Sequence, residues 1–480
     1  MSSLKKKFVS GVVWESFGRF SSLGIQFFVT IIIARILTPA EFGIIGLLTV
    51  FIALGQIFLD SGFSQALIQK KEATQVDFSS IYFLNMFTGL FIYAVLFFLS
   101  PFVAEFYDLP ELTNYARVLF LIIPINSFGL IQNVIIQKEL TFKKTALASL
   151  ISAIISGIVG ITMAYYGYGV WALVGQQISI HTTKTLLYII QRRWMPIFKI
   201  SFVSIKEMFS FSMNLLAHSF VNVVMKNIYV LIIGKFFPVS QVGYYNQATK
   251  FEDISAGTIT QIILKVSFPA LVHKKDEPVY LRIAYLKIIN VVLYVIIPVM
   301  FFLLFIAKPL FQFLLTDKWL PAVPYFQILC VYGMCLPILQ ISYNLYKLFR
   351  KGRALLIIDT IRHLLVLVSI FFTIKYGIDY MLYGLVFCTI IMSVANLYFS
   401  GRLISLSLYS QIKSFLPNVL LALFMGVIIY LLPNLYTNFI TVFYKFIIFT
   451  LGYITLSFLF KFSALQELLI ILSSFKKKKI

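Results

Sequence analysis

Two stretches of the chain repeat one another. Ala34-Arg35-Ile36-Leu37-Thr38-Pro39-Ala40-Glu41-Phe42-Gly43 is echoed by Gly234-Lys235-Phe236-Phe237-Pro238-Val239-Ser240-Gln241-Val242-Gly243. The cation and the closing glycine recur at an offset of 200, and the proline at 199. Proline and glycine punctuate turns anywhere, so the match gains weight from its position: each stretch separates the first apolar run of a half from the second. Farther on, Pro101 pairs with Pro309 and Pro124 with Pro337, at offsets of 208 and 213. The reading is a duplication in which spans 1–6 recur as spans 7–12. Six is even, so the copies share one orientation and are related by an axis along the membrane normal.

Across the whole chain, 60% of the 480 residues are apolar, 17% are aromatic and 12% are charged. An ordinary soluble domain carries about 25% charged residues. So much apolar surface cannot be hidden in water-soluble cores, and the chain reads as an all-α polytopic membrane protein. Disordered, fibrous and disulfide-scaffold classes fall to the same arithmetic. Fourteen apolar runs are long enough to span: 10–36, 41–64, 79–103, 114–137, 145–165, 168–190, 208–234, 241–265, 283–307, 322–347, 354–374, 379–401, 412–432 and 438–460. The expected organisation is a six-helix lobe over 1–200, a second over 201–403, and two further helices with a basic tail over 404–480. The start MSSLKKKFVSGVVWESFGRF imitates a signal peptide, but Glu15 and Arg19 interrupt its apolar region. No small-residue cleavage site comes after it, so it reads as a retained first span.

The net charge of +22 is distributed in short clusters between the apolar runs, with no basic face of a polar domain, which argues against nucleic acid. With fourteen spans, 27 cations fall on the side of the termini and 6 on the other. That asymmetry predicts cytoplasmic termini in a multi-pass membrane protein. Asp60 to Lys71 is too polar for lipid and reads either as an amphipathic continuation of span 2 or as a surface loop. Cys330, Cys335 and Cys388 lie in apolar stretches as core thiols, and His181, His218, His273 and His363 are scattered. No metal, cofactor or catalytic motif is present in the sequence, so neither an enzyme nor a metalloprotein is expected.

Polar residues inside the spans follow helical periodicity. Glu15, Arg19, Ser22, Gln26 and Thr30 share one face of span 1, and Thr49, Gln56, Asp60 and Ser64 one face of span 2. Span 7 carries Asn214, His218, Asn222 and Lys226; span 8 carries Asn246, Lys250, Asp253, Gly257 and Thr260. Lipid exposure of such stripes is costly, so they read as facing a water-filled cleft or a helix contact. Lys226 and Lys250 are too deep for easy snorkelling, whereas Lys184, Lys287 and Arg362 lie within its reach. Glu15 and Arg19 are spaced either as an i, i+4 ion pair or as ligands. His218 reads as a proton site or a packing element. Glu15, Asp60, Glu252 and Asp253 are the acids available for ion coupling.

The segment 34–43, its continuation Asp60-Ser-Gly62-Phe-Ser-Gln65-Ala-Leu-Ile-Gln-Lys70, and Ala307-Lys308-Pro309-Leu-Phe with the nearby Asp317-Lys318-Trp319 resemble the polysaccharide transporters of the MOP flippase superfamily, the Wzx-type flippases. The resemblance implies two six-helix lobes in a V-shaped arrangement plus two added helices. It implies alternating-access translocation of an undecaprenyl-pyrophosphate-linked oligosaccharide for a surface polysaccharide such as O-antigen, capsule or exopolysaccharide. It implies a cationic cleft at Arg19, Lys226 and Lys250. Implied partners are the lipid-linked oligosaccharide, membrane lipids, and polysaccharide polymerase and chain-length machinery. The alternatives are a multidrug antiporter of the same superfamily, which would want a net acidic cleft, and a membrane polymerase or ligase, which the short outside loops disfavour.

Overall fold

A computed structural model describes residues 2–60, 62–70, 72–260, 268, 271–272, 277–435 and 438–477. Every regular element among them is helical. In chain order these are α1 (Ser2–Ile36), α2 (Pro39–Asp60), α3 (Phe63–Gln69), α4 (Gln75–Phe106), α5 (Leu112–Leu119), α6 (Ile122–Lys138), α7 (Phe142–Tyr165), α8 (Val170–Gln191), α9 (Phe202–Phe236) and α10 (Val239–Glu252). A π-helical turn, Asp253–Gly257, continues α10. Then come α11 (Pro278–Leu315), α12 (Ala322–Leu348), α13 (Gly352–Thr373), α14 (Ile378–Leu403), α15 (Leu408–Leu431), α16 (Asn438–Leu459) and α17 (Ser463–Lys477). Twelve helices among the described residues are long and apolar enough to cross a membrane. Of the fourteen expected spans, α8 falls short through its polarity, and the span after α9 runs into residues 261–267, which are not described.

The chain divides into two compact units, Met1–Asn246 and Gln247–Ile480. In the first, α1 packs on α7 and α7 on α8. Small residues permit the approach: a Cβ at Gly18 would press on Ala146, and one at Gly157 on Val29. Close packing of small side chains is how helices associate where lipid offers no hydrophobic drive. In the second unit, α11 packs against α12, α15 and α16. Its buried Asn290 accepts from Asn418 Nδ2 at 2.7 Å and donates to Ser463 Oγ at 3.0 Å.

Local chemistry sets the turns. Thr74 and Asp77 form a capping box at the start of α4, and Asp77 also pairs with Lys70 at 3.0 Å. The polar stretch after span 2 folds as the separate helix α3, because Gly62 turns the chain at φ 78° before it. Phe63 and Leu67 are buried, and Lys138 Nζ caps the far end by donating to Leu67 O and Lys70 O at 3.1 and 2.6 Å.

One terminating pattern recurs along the chain. After α6, Leu140 takes φ 55° and the N–H of Thr141 donates to Ile136 O; after α12, Arg350 takes φ 54° and the N–H of Lys351 donates to Tyr346 O. The same left-handed helix-terminating pattern follows α4, α14 and α16, at Asp108, Ser405 and Lys461. The two quoted stretches touch one another. A Cβ at Gly43 would fall on the carbonyl oxygen of Val239, and a Cβ at Gly243 on that of Pro39, both nearer than the 3.0 Å that real Cβ atoms observe. Each contact maps onto the other by a shift of 200 residues, which is the pairing of a two-fold, isologous interface.

Candidate functional site

On α1, the upper stripe satisfies itself: Gln26 Nε2 donates to Ser22 Oγ at 3.1 Å, and Thr30 Oγ1 to Gln26 O at 2.7 Å. Below it Glu15 and Arg19 are exposed, and Glu15 Oε2 accepts from Thr145 Oγ1 on α7 at 3.2 Å. On α2, Thr49 bonds back to Gly46 O and Gln56 is half-buried; the side chain of Asp60 lies outside the described residues. On α9, Asn222 is half-buried and Lys226 exposed, while the side chains of Asn214 and His218 also lie outside the described residues.

The α10 stripe departs from the expected face. Lys250 and Asp253 are exposed, but the π-turn at Asp253–Gly257 inserts an extra residue into the helical ladder and rotates the residues beyond it. Thr260 is therefore buried, its hydroxyl donating to Ala256 O at 2.7 Å. Glu252 is only 2% exposed. Its Oε1 lies 2.8 Å from where a Cβ would stand at Gly333 on α12, a spot also bordered by Ala256 and Met300. A single step along the chain thus separates a buried carboxylate from an exposed one. Midway along α10, Asn246 lies against Gly46, its counterpart by the shift of 200, and its Nδ2 has no hydrogen-bond partner among the described residues.

The remaining intramembrane cations have local partners. Arg362 pairs with Asp359 at 3.4 Å, as its spacing predicts, and Tyr343 donates to the same carboxylate at 2.6 Å. Lys287 pairs with Glu467 at 2.7 Å. Lys445 is buried and donates to Asn434 Oδ1 at 3.0 Å. Among the described residues, no group of three or more His, Cys, Asp or Glu could hold a metal ion.

Sequence reading places α8 as a span over 168–190 but passes over the polar run that it carries. Gln176, Gln177, Ser179, His181, Thr182 and Lys184 are all half-buried on it. His181 Nδ1 lies 3.0 Å from Asn126 Oδ1 on α6, and Lys184 Nζ stands 5.9 Å from the Tyr188 ring centroid. The signal is present in the run Gln176-Gln-Ile-Ser-Ile-His-Thr-Thr-Lys-Thr185, in which only the two isoleucines are apolar.

Comparison with known proteins gives this arrangement a context. A family model described as "Polysaccharide biosynthesis protein" matches residues 32–324. The teichuronic acid biosynthesis protein TuaB of Bacillus subtilis is 29% identical over 74% of this chain and 73% of its own length. The lipopolysaccharide biosynthesis protein WzxC of Escherichia coli is 25% identical over 69% and 68%. Among solved structures, the lipid II flippase MurJ in an inward closed conformation aligns with a TM-score of 0.75 at 18% identity, covering 93% of this chain and 98% of that one. An inward-facing multidrug resistance MATE transporter of the MOP superfamily aligns at 0.64 and 14% identity, over 82% and 98%. With the family model matched over more than half of the chain, the chain belongs to the polysaccharide biosynthesis protein family.

Proposed function

We propose that the chain is a flippase of polysaccharide biosynthesis. It carries an undecaprenyl-pyrophosphate-linked oligosaccharide across the bacterial inner membrane by alternating access, with both termini cytoplasmic. The observation that carries this reading is the set of exposed cations on three helices, Arg19 on α1, Lys226 on α9 and Lys250 on α10, which outnumber the exposed acids beside them, Glu15 and Asp253. A cation turned to hydrocarbon costs about 3 kcal/mol or more, so these positions suit helices whose polar sides meet water and an anionic cargo. A pyrophosphate needs compensating donors to cross, and Lys and Arg supply them. Gln26, Gln56, Asn222 and Asn246 suit the glycan, and the polyprenyl tail remains in lipid. The roles printed for TuaB and WzxC support a cargo from surface-polysaccharide synthesis. Of the acids available for coupling to H⁺ or Na⁺, Glu252 fits best, because a buried carboxylate gains most from binding a cation.

The test is export of lipid-linked oligosaccharide in cells carrying Lys250→Ala, alone and with Asp253→Asn. Lys250→Ala abolishes export at near-normal abundance, and Lys250→Arg retains part of it, losing only donor geometry. Restored export in the double variant would make Lys250 a structural counter-ion. Intact glycan export with loss of organic-cation efflux would favour the antiporter.

A further inference from the structure

Residues 192–201 join α8 to α9 as an irregular strap, tied at several points to the start of α4. Gln75 Nε2 donates to Met195 O at 2.8 Å, and Trp194 Nε1 donates to Gln75 Oε1 at 2.6 Å. The N–H of Ile197 donates to Ser79 Oγ at 3.0 Å, and that of Ser201 to Ser80 Oγ at 2.8 Å. Ser79 and Ser80 are fully buried, and the strap supplies a backbone donor to each hydroxyl. Irregular backbone is tolerated near hydrocarbon only when its polar groups are satisfied in this way.

The strap does not stay at the end of the helix. Phe198 stacks on Phe83 with ring centroids 5.5 Å apart. Phe83 lies eight residues into α4, about 12 Å along its axis at 1.5 Å per residue. The chain then returns, so that Ser201 meets Ser80. Around this dip the apolar side chains point outward: Met195 and Phe202 are each 80% exposed, Phe198 94% and Val203 69%. Arg193, Lys199 and Lys206 are exposed among them, and no acidic residue occurs from Gln191 to Lys206. An apolar surface at the mouth of a spanning helix, ringed by cations of one sign, matches the boundary between acidic headgroups and acyl chains.

We propose that the strap is a membrane-inserting site selective for acidic phospholipids: Phe198 and its apolar neighbours enter the acyl boundary while Arg193, Lys199 and Lys206 hold headgroup phosphates. The connection between the two repeats is thereby moored to the bilayer as well as to α4. The site does not depend on the identity of the cargo.

The test uses the full chain in lipid nanodiscs. A spin label at Phe198→Cys, with Cys330, Cys335 and Cys388 changed to Ser, is expected to lie about 5–10 Å below the phosphates. It should relax with oxygen and resist a water-soluble nickel chelate; free access to nickel would overturn the proposal. Hydrogen exchange over 193–203 in the unlabelled wild-type chain guards against misfolding of the labelled one. Exchange is expected to be slower by about tenfold or more in discs containing phosphatidylglycerol than in phosphatidylcholine alone. The combined Arg193→Gln, Lys199→Gln and Lys206→Gln changes should remove that difference. Equal exchange in the two lipids would overturn the acidic-lipid assignment, and equal exchange in detergent as well would overturn insertion itself.

Discussion

The starts of α2 and α10 are two copies of one segment, and they part company within a few turns. Their opening residues face one another reciprocally, Gly43 on the Val239 carbonyl and Gly243 on that of Pro39. Three residues on, Gly46 in one copy is answered by Asn246 in the other. Beyond that, α2 runs 22 residues to Asp60, while α10 stops at Glu252 after 14 and passes into a π-turn. The shared part is a backbone contact that neither copy can change alone. The part that diverges carries Lys250, Glu252 and Asp253. The reciprocal contact and the groups proposed for function therefore lie on one helix, and π-turns inside α-helices frequently mark functional places.

The largest effect should come from breaking the shared contact. Gly43→Val and Gly243→Val each force a side chain into a carbonyl oxygen of the facing helix, where no rotamer gives relief. Overpacking of a well-filled core costs about 1–3 kcal/mol, and a backbone clash lies at or beyond the upper end. Each variant should be lost from the membrane or melt far below the wild type in detergent. Gly24→Ala, which meets nothing within 4 Å, is the matched control and should leave the melting temperature unchanged. Similar melting of all three would mean that the reciprocal contact is incidental.

How much of this is legible in the sequence differs along the chain. The apolar runs and the repeat can be read because periodicity and punctuation are local. The face of α1 from Ser22 to Thr30 can be read because its hydrogen bonds stay within one helix. The π-turn cannot, since the run from Asn246 to Thr260 fits an unbroken 3.6-residue period and only packing against α11 and α12 selects the wider turn. Ser79 and Ser80 give no signal either, because their partners, Ile197 and Ser201, lie about 120 residues away. The α8 run is legible too, but its one cation, Lys184, lies within snorkelling reach, unlike Lys226 and Lys250.

The next effect in size separates the neighbours at the end of α10. Glu252 is enclosed beside Gly333 and Met300, whereas Asp253 is exposed. If the departure of α10 from α2 serves ion coupling, Glu252→Gln removes the titrating oxygen from a site where burial makes it matter. Export should fall by about tenfold or more and lose its dependence on the ion gradient, in keeping with the weight of buried ionisable groups in membrane spans. Asp253→Asn should stay within about twofold of wild type, since an exposed carboxylate is screened and replaceable. The assay is export in energised cells with and without an ionophore. An unchanged gradient dependence in Glu252→Gln would remove the carboxylate from the mechanism and leave the π-turn as a packing feature.

The smallest effect probes the first point at which the copies differ. The Nδ2 of Asn246 occupies the space that a Cβ at Gly46 would need. That glycine therefore exists to admit its counterpart's amide. Gly46→Ala should drive the Asn246 side chain out of its rotamer at a cost of about 1–3 kcal/mol, read as a lower melting temperature with the fold retained. Asn246→Ala alone removes an amide that makes no hydrogen bond through Nδ2 among the described residues, so it should cost less. The double variant puts a methyl on each side of the contact and restores the equivalence of the two copies. Its melting temperature should exceed that of Gly46→Ala alone, giving a positive coupling between residues in contact. Strict additivity would show that Asn246 moves aside freely, and the pairing of Gly46 with Asn246 would then be tolerance of the larger residue and not a fitted contact.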